Sequence, residues 1–130
     1  MNMKNLYFPS MKVLVDLHNE ARNSGSWAWK ISPLIMDDRL MRYASDWADW
    51  MSTNNRMVHS SMRNIMKLGF NRAGENIAWG QDSEKSVMNS WLWSPGHRAN
   101  IMSTSYTKIG CAAAYSKYDR LYWCVCFGRD

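Results

Sequence analysis

Apolar residues return every three or four positions through much of the chain, then give way near its end to two short β-type runs. From Ser10 to about Asn23, Met11, Leu14, Val15, His18 and Ala21 keep helical spacing, and Asn23-Ser24-Gly25 supplies a stop. His18 falls on the inner side of that helix, where a packed, hydrogen-bonded ring is expected. Trp27 to Pro33 has no helical phase, and Pro33 disfavours helix in the residue before it. This stretch reads as a loop whose Trp27 and Trp29 cover the core. Asp37 or Asp38 caps a second helix by accepting from free backbone N–H groups. Leu40, Ala44, Trp47, Ala48 and Met51 form its stripe, with small alanines beside a large Trp to allow close packing, and Ser52 to Asn55 ends it.

Val58-His59-Ser60-Ser61 reads as a loop, with Ser60 or Ser61 capping a short helix that Gly69 closes. Gly74-Glu75-Asn76-Ile77-Ala78-Trp79-Gly80 is a short apolar stretch between glycines, consistent with a buried strand or bend. Asp82 or Ser83 caps a third helix with Glu84 in its first turn and Val87 and Trp91 on its inner face. Ser94-Pro95-Gly96 is expected to stop that helix, with His97 following at once and turned back by the flexible Gly96. Tyr106 to Tyr115 and Leu121 to Phe127 predict a hairpin, and Ala112, Ala113 and Ala114 leave room for helices to approach its first strand. Helices first and a hairpin last predict an α+β domain with helices packed on a small, mainly antiparallel sheet. We place a lead-in at residues 1–9 and a single domain at 10–130.

Composition narrows the class. Hydrophobic residues make up 46% and charged residues 21% of 130 residues, which fits a globular chain and argues against disorder. The net charge of +5 is spread along the chain without a basic run, which argues against a nucleic-acid partner. The locally basic stretch Arg56 to Arg72 reads as a solvated face or an anion-binding rim. No apolar run reaches the roughly 20 residues needed to span a bilayer. The first ten residues lack the apolar region of a signal peptide. Three cysteines, Cys111, Cys124 and Cys126, lack the C-x-x-C spacing of a zinc or redox site and allow at most one internal disulfide plus a free thiol.

The candidate chemistry lies in His59, Glu75 and His97, three groups able to ligate a metal or move a proton. Two neutral imidazoles and a carboxylate can hold Zn²⁺ with a water in the open position. The same groups can instead form a hydrogen-bonded knot that joins helix ends to the sheet. Ser60, beside His59, can be a nucleophile, although a capping hydroxyl is the commoner role.

Several segments together resemble one family. HNEAR at 18–22, His59-Ser60, GENIA at 74–78, WLWSPGHRANIM at 91–102, Lys108-Ile109-Gly110-Cys111 and the terminal YWCVCFG are similar in order and spacing to the CAP superfamily. That superfamily comprises cysteine-rich secretory proteins, antigen 5 and pathogenesis-related proteins, whose domains are also called SCP domains, and SPGHRANIM looks like its bacterial branch. The resemblance implies a three-layer α-β-α sandwich with a cleft holding two histidines, here His59 and His97, and a first acid, here Glu75. It also implies a divalent metal, with Ser60, Asn76 and Ser94 as cleft neighbours. In animal and plant relatives a second acid stands where this chain has Ser94. Relatives often pair the cysteine after Ile-Gly with one on the last strand, which implies a Cys111–Cys126 disulfide, with Cys124 as a competitor.

The resemblance further implies a ligand-binding or interaction module for a lipid, peptide or protein, and an extracellular location. Alternatives are a metal-dependent, peptidase-like hydrolase and a structural component of a larger particle such as a phage virion. With no signal peptide in this chain, a virion-associated or cytoplasmic site is also open.

Overall fold

A computed structural model describes residues 6–24 and 31–130, so the expectation for Trp27 and Trp29 lies outside the described residues. Helix α1, Met11–Asn23, starts where Ser10 accepts from the Val13 N–H. Strand β1, Ile35–Met36, leads into α2, Asp38–Asn54, whose free N–H groups at Arg39 and Leu40 are taken by the Asp37 carboxylate. A short α3, Met62–Met66, precedes strand β2, Arg72–Trp79. Helices α4, Glu84–Leu92, and α5, Pro95–Ile101, follow, then β3, Lys108–Tyr115, and β4, Leu121–Arg129.

The four strands lie in the order β1-β3-β4-β2. β4 pairs antiparallel with both β3 and β2, and only the two-residue β1 is parallel, to β3. Strand alternation then sorts the core into two layers. Ile109, Cys111, Trp123, Val125 and Phe127 pack with α1, α4 and α5. Ala112, Tyr122, Cys124, Cys126 and Ile77 pack beneath α2 and α3 with Leu40, Ala44, Ala48, Met51 and Ile65. The result is the expected α-β-α sandwich. Among the described residues no helix is long and apolar enough to cross a membrane.

The HNEAR segment fastens α1 to its surroundings. Asn19 donates to the Leu34 carbonyl and accepts from the Leu34 N–H. Arg22, 1% exposed, donates to the carbonyls of Ser32, Ile101, Ser103 and Tyr106, so its charge is buried among aligned carbonyl dipoles. At the other end of α1, buried Glu84 accepts from the Tyr7 hydroxyl and the Ser10 N–H, tying the N-terminal segment to α4.

Three expectations need correction. Ser94-Pro95-Gly96 does stop α4, but it also starts α5, because Pro95 stands at N1, where no N–H is needed, and Ser94 is the N-cap. His97 is therefore in the first turn of a helix. Trp47 is half-buried at the margin of its layer, where its ring N–H donates to the Val58 carbonyl at 2.8 Å. The Cys111–Cys126 disulfide is not made, and all three thiols are free. Cys126 lies opposite Gly110, and Cys111 opposite Val125. A register offset of one residue puts Cys111 and Cys126 on opposite faces of the sheet.

Candidate functional site

β2 is an edge strand, and its consecutive residues Glu75 and Asn76 point to opposite faces. Glu75 faces the α2 and α3 side. Its Oε1 accepts from the His59 ring at Nδ1 and from the Ser60 N–H, both at 2.9 Å. Its Oε2 accepts from the Ser60 hydroxyl at 2.5 Å and, more weakly, from the Cys124 thiol at 3.9 Å. Ser60 in turn accepts from the Tyr43 hydroxyl at 2.8 Å. The Ser60 hydroxyl is thus committed to Glu75, and Ser61, at the N-cap of α3, makes no side-chain cap bond.

Asn76 faces the α4 and α5 side. Its Nδ2 donates to the His97 carbonyl at 3.0 Å, and its Oδ1 accepts from Asn100 at 2.9 Å. The His97 ring shares a hydrogen bond at Nδ1 with the Ser94 hydroxyl at 2.9 Å. Burial, and after it repulsion from His59, holds the His97 ring below the ordinary imidazole range. His59 and His97 therefore approach the sheet edge from opposite faces, each held through Nδ1 by a different partner. Glu75 reaches His59, while His97 is reached by Ser94 and Asn76.

The divalent metal implied by the resemblance can be tested against these donors. Orientation of each ring through Nδ1 leaves Nε2 as the ligating atom, the arrangement usual for metal-binding histidines. Glu75 serves as the orienting carboxylate, and Ser94 offers a neutral hydroxyl where an anion would bind more strongly. With Glu75 engaged by His59 and Ser60, the two imidazoles, near enough to repel one another, are the groups that would hold a divalent ion, which would polarise water or a carbonyl oxygen.

A different group has its ligand atoms closer together. Among the described residues, Glu75, Cys124 and Cys126 form the one set of such groups whose ligand atoms all lie within 4.8 Å of one another. Period-two alternation already put Cys124 and Cys126 on one face. Their meeting with Glu75 depends on the β2–β4 register, which pairs Glu75 with Cys126 and has no sequence signature.

Beside His59 lies a groove of about 510 Å³ lined by Tyr43, Asp46, Trp47, Trp50, His59, Ser60, Ser61 and Asn64. Trp47 and Trp50 stack with centroids 4.7 Å apart and planes 3° from parallel, and the His59 side chain is 58% exposed. On the opposite layer a groove of about 410 Å³ runs between α1 and α4, with Leu17, Met88 and Leu92 on its walls and Lys85 and Arg98 at its rim.

The sequence profile of the CAP, or cysteine-rich secretory protein, family matches residues 15–127. The uncharacterized protein YkwD of Bacillus subtilis is 32% identical over 107 residues, covering 76% of this chain and 40% of that protein. The chain spans about a third to just over half the length of the curated relatives it matches. Among solved structures, an outer surface protein from Borrelia burgdorferi superposes with a TM-score of 0.82 at 28% identity, covering 92% of this chain and 91% of that one. An extracellular protein containing an SCP domain from Bacillus anthracis superposes with a TM-score of 0.76 at 25% identity, covering 92% of this chain and 40% of that one.

Proposed function

Because the chain belongs to the CAP family of cysteine-rich secretory proteins, we propose that it works as a binding domain that takes a peptide or protein segment in the aromatic groove beside His59. The observation that carries this reading is the Trp47–Trp50 stack. It presents indole surface at the groove, with Trp50 36% exposed, and leaves it in contact with water. Exposed aromatic surface framed by polar groups is the usual make-up of a recognition site. Asp46, His59, Ser61 and Asn64 supply those polar groups and would orient a ligand's hydrogen-bonding edge while an apolar side chain covers the indoles. Tyr and Trp are favoured at such surfaces because they offer much contact area for little lost side-chain freedom.

A hydrolase has less support. A metal-assisted peptidase needs a carboxylate free to accept a proton from water, and both oxygens of Glu75 already accept from His59, Ser60 and Cys124. An extracellular or surface location is supported by the descriptions of the two structural relatives as an outer surface protein and an extracellular protein.

The test is a nuclear magnetic resonance titration of the full chain with a pool of hydrophobic peptides and, separately, with phosphatidylcholine vesicles containing cholesterol. Peptides should move the Trp47 and Trp50 indole signals and the His59 signals. Trp50→Ala should weaken binding about thirtyfold, the size of an ordinary Trp hot spot of ~2 kcal/mol. Shifts confined to Leu17, Met88 and Leu92, or seen with vesicles alone, would overturn the reading.

A further inference from the structure

Glu75, Cys124 and Cys126 form a pocket of oxygen and sulfur donors between the sheet and α2, and we infer that it is a binding site for a thiophilic metal ion of the Zn²⁺ type, separate from the two histidine Nε2 atoms. The spacing of the donors carries the inference. The two Sγ atoms are 3.7 Å apart, and Cys124 Sγ is 3.9 Å from Glu75 Oε2. A tetrahedral Zn²⁺ with bonds of about 2.3 Å to sulfur and about 2.0 Å to oxygen sets its sulfurs ~3.8 Å apart and each sulfur ~3.5 Å from the oxygen. Two edges of such a tetrahedron are therefore nearly in place, and the third, from Cys126 Sγ to the Glu75 carboxylate, is no longer than 4.8 Å, a gap that side-chain rotation can close.

The surroundings suit an ion. All three residues are buried, with the Glu75 side chain 1% exposed, so a thiolate pair there would be shielded from water and from other thiols. One carboxylate oxygen is free of structural duty toward His59. Oε1 holds the His59 ring and the Ser60 N–H, whereas Oε2 faces the thiols and the Ser60 hydroxyl. An ion on Oε2 leaves the Oε1 bonds in place and competes there only with the Ser60 hydroxyl and the Cys124 thiol, and a water can complete its fourth position.

The groove comes nearest to the pocket at Ser60, which lines the groove and bonds directly to Glu75, so an ion would enter past Ser60 and Tyr43. Two soft thiolates with one carboxylate favour Zn²⁺, Cd²⁺ or Co²⁺ over Mg²⁺ or Ca²⁺, which prefer shells made of oxygen. Binding is an exchange of ions. Each thiol loses its proton to solvent as its sulfur bonds to the metal, so one Zn²⁺ entering releases two protons, and no electron is transferred.

A bare thiol pair in the core would serve only as packing, and the measurement separates the two roles. Reduced full-length protein is titrated with Co²⁺ and with Cd²⁺. Zn²⁺-loaded wild type is then studied by X-ray absorption. Tetrahedral cobalt–thiolate bands should appear at one equivalent, Zn²⁺ should displace the Co²⁺, and the zinc shell should contain sulfur. Cys124→Ala and Cys126→Ala should lose the bands, while Cys111→Ala and His97→Ala should keep them. A zinc shell of nitrogen and oxygen without sulfur overturns the site, and this reading needs no variant to fold. Bands that survive Cys126→Ala but vanish in His97→Ala overturn it as well.

Discussion

On the face of the sheet covered by α1, α4 and α5, large side chains fill the space. Trp91, Trp123, Phe127, Leu14 and the His18 ring meet there, with His18 5.8 Å from Phe127 and 6.0 Å from Trp91 between ring centroids. On the opposite face α2 turns its small Ala44 and Ala48 to the sheet and settles almost onto the backbone, over Gly110 and Ala112, with thiols in place of aromatic rings. The first face gains its stability from bulk. The second gains it from close approach, and at its β2 edge it buries a carboxylate that accepts from the His59 ring and from the N–H and hydroxyl of Ser60. A polar group can be held in a dry layer when every bond it needs is supplied nearby, and the short loop of His59 and Ser60 supplies those bonds. The site therefore sits on the face that has the least apolar volume to lose.

The strongest way to break this contrast is to thicken the thin face. A methyl group added at Gly110 would overlap the backbone of Leu40 and Met41, which no rotamer change can relieve. Gly110→Ala should cost more than about 4 kcal/mol or prevent folding outright. Gly96→Ala serves as its control. Nothing lies within 4 Å of an added methyl there, and the helical position should gain up to about 1 kcal/mol. Urea midpoints for the pair should move in opposite directions; equal shifts would mean that α2 does not press on the sheet.

The bulky face is probed by its indoles. Trp91 is 1% exposed and donates from its ring N–H to the Ile77 carbonyl, so Trp91→Ala should cost about 3 to 5 kcal/mol. Trp47, half-buried on the other face, should cost about 1 to 2 kcal/mol on truncation, since it loses one hydrogen bond and a partial contact. Denaturation curves showing equal losses would remove the distinction between the two layers.

These differences mark how far the pattern of residues could be read in advance. The α2 stripe was legible because Leu40, Ala44, Ala48 and Met51 repeat at the helical period and are all buried. Trp47 belongs to the same stripe, yet its ring swings to the rim to reach Val58, an outcome set by a loop that carries no period. β1 was illegible: two exposed residues become a strand only through pairing with Lys108 and Ile109. The Ser94-Pro95 pair carried both a stop and a start, since a proline that ends one helix also suits the first position of the next. In the site, the His59–Glu75 contact was expected from the family's motifs. The links from Asn76 to His97 and from Glu75 to Cys124 follow from strand parity and register, which a linear pattern leaves free.

Acid should sharpen the comparison by acting on the bulky face. His18 is fully buried, with Nδ1 donating to the Leu14 carbonyl at 2.7 Å and Nε2 without a partner among the described residues. Burial, aided by Arg22, lowers its pKa from 6.5 to about 4. Above about pH 6.5 both folded and unfolded chains hold the ring neutral, so its contribution is fully present. As pH falls from there toward about 4, the unfolded chain takes up a proton that the folded interior refuses, and stability drops by about 3 kcal/mol in all. His18→Gln removes the titration, so the gap between wild type and variant in urea midpoint should narrow as pH falls across that window. A gap that stays constant would show that the ring does not resist protonation.

The smallest effect on stability is expected at the cleft, where it is paired with a change in affinity. Ser94 is the N-cap of α5 but makes no side-chain cap bond, its hydroxyl being engaged with the His97 ring. Replacing it by Glu therefore removes no cap, and a carboxylate at a helix start is electrostatically favourable, so the urea midpoint should move by less than about 0.5 kcal/mol. The same change adds an anionic oxygen beside two imidazoles, where wild type offers a neutral one, and an anion is the better ligand for a divalent cation. Calorimetry at pH 7 should show Zn²⁺ binding strengthened about tenfold or more in Ser94→Glu. The titration is best made in the Cys124→Ala background, so that sulfur ligands do not contribute, and His97→Ala should abolish the gain. Unchanged affinity in Ser94→Glu would mean that the two rings do not present Nε2 to a common ion, and that Glu75 and Ser94 hold the histidines for binding through the groove alone.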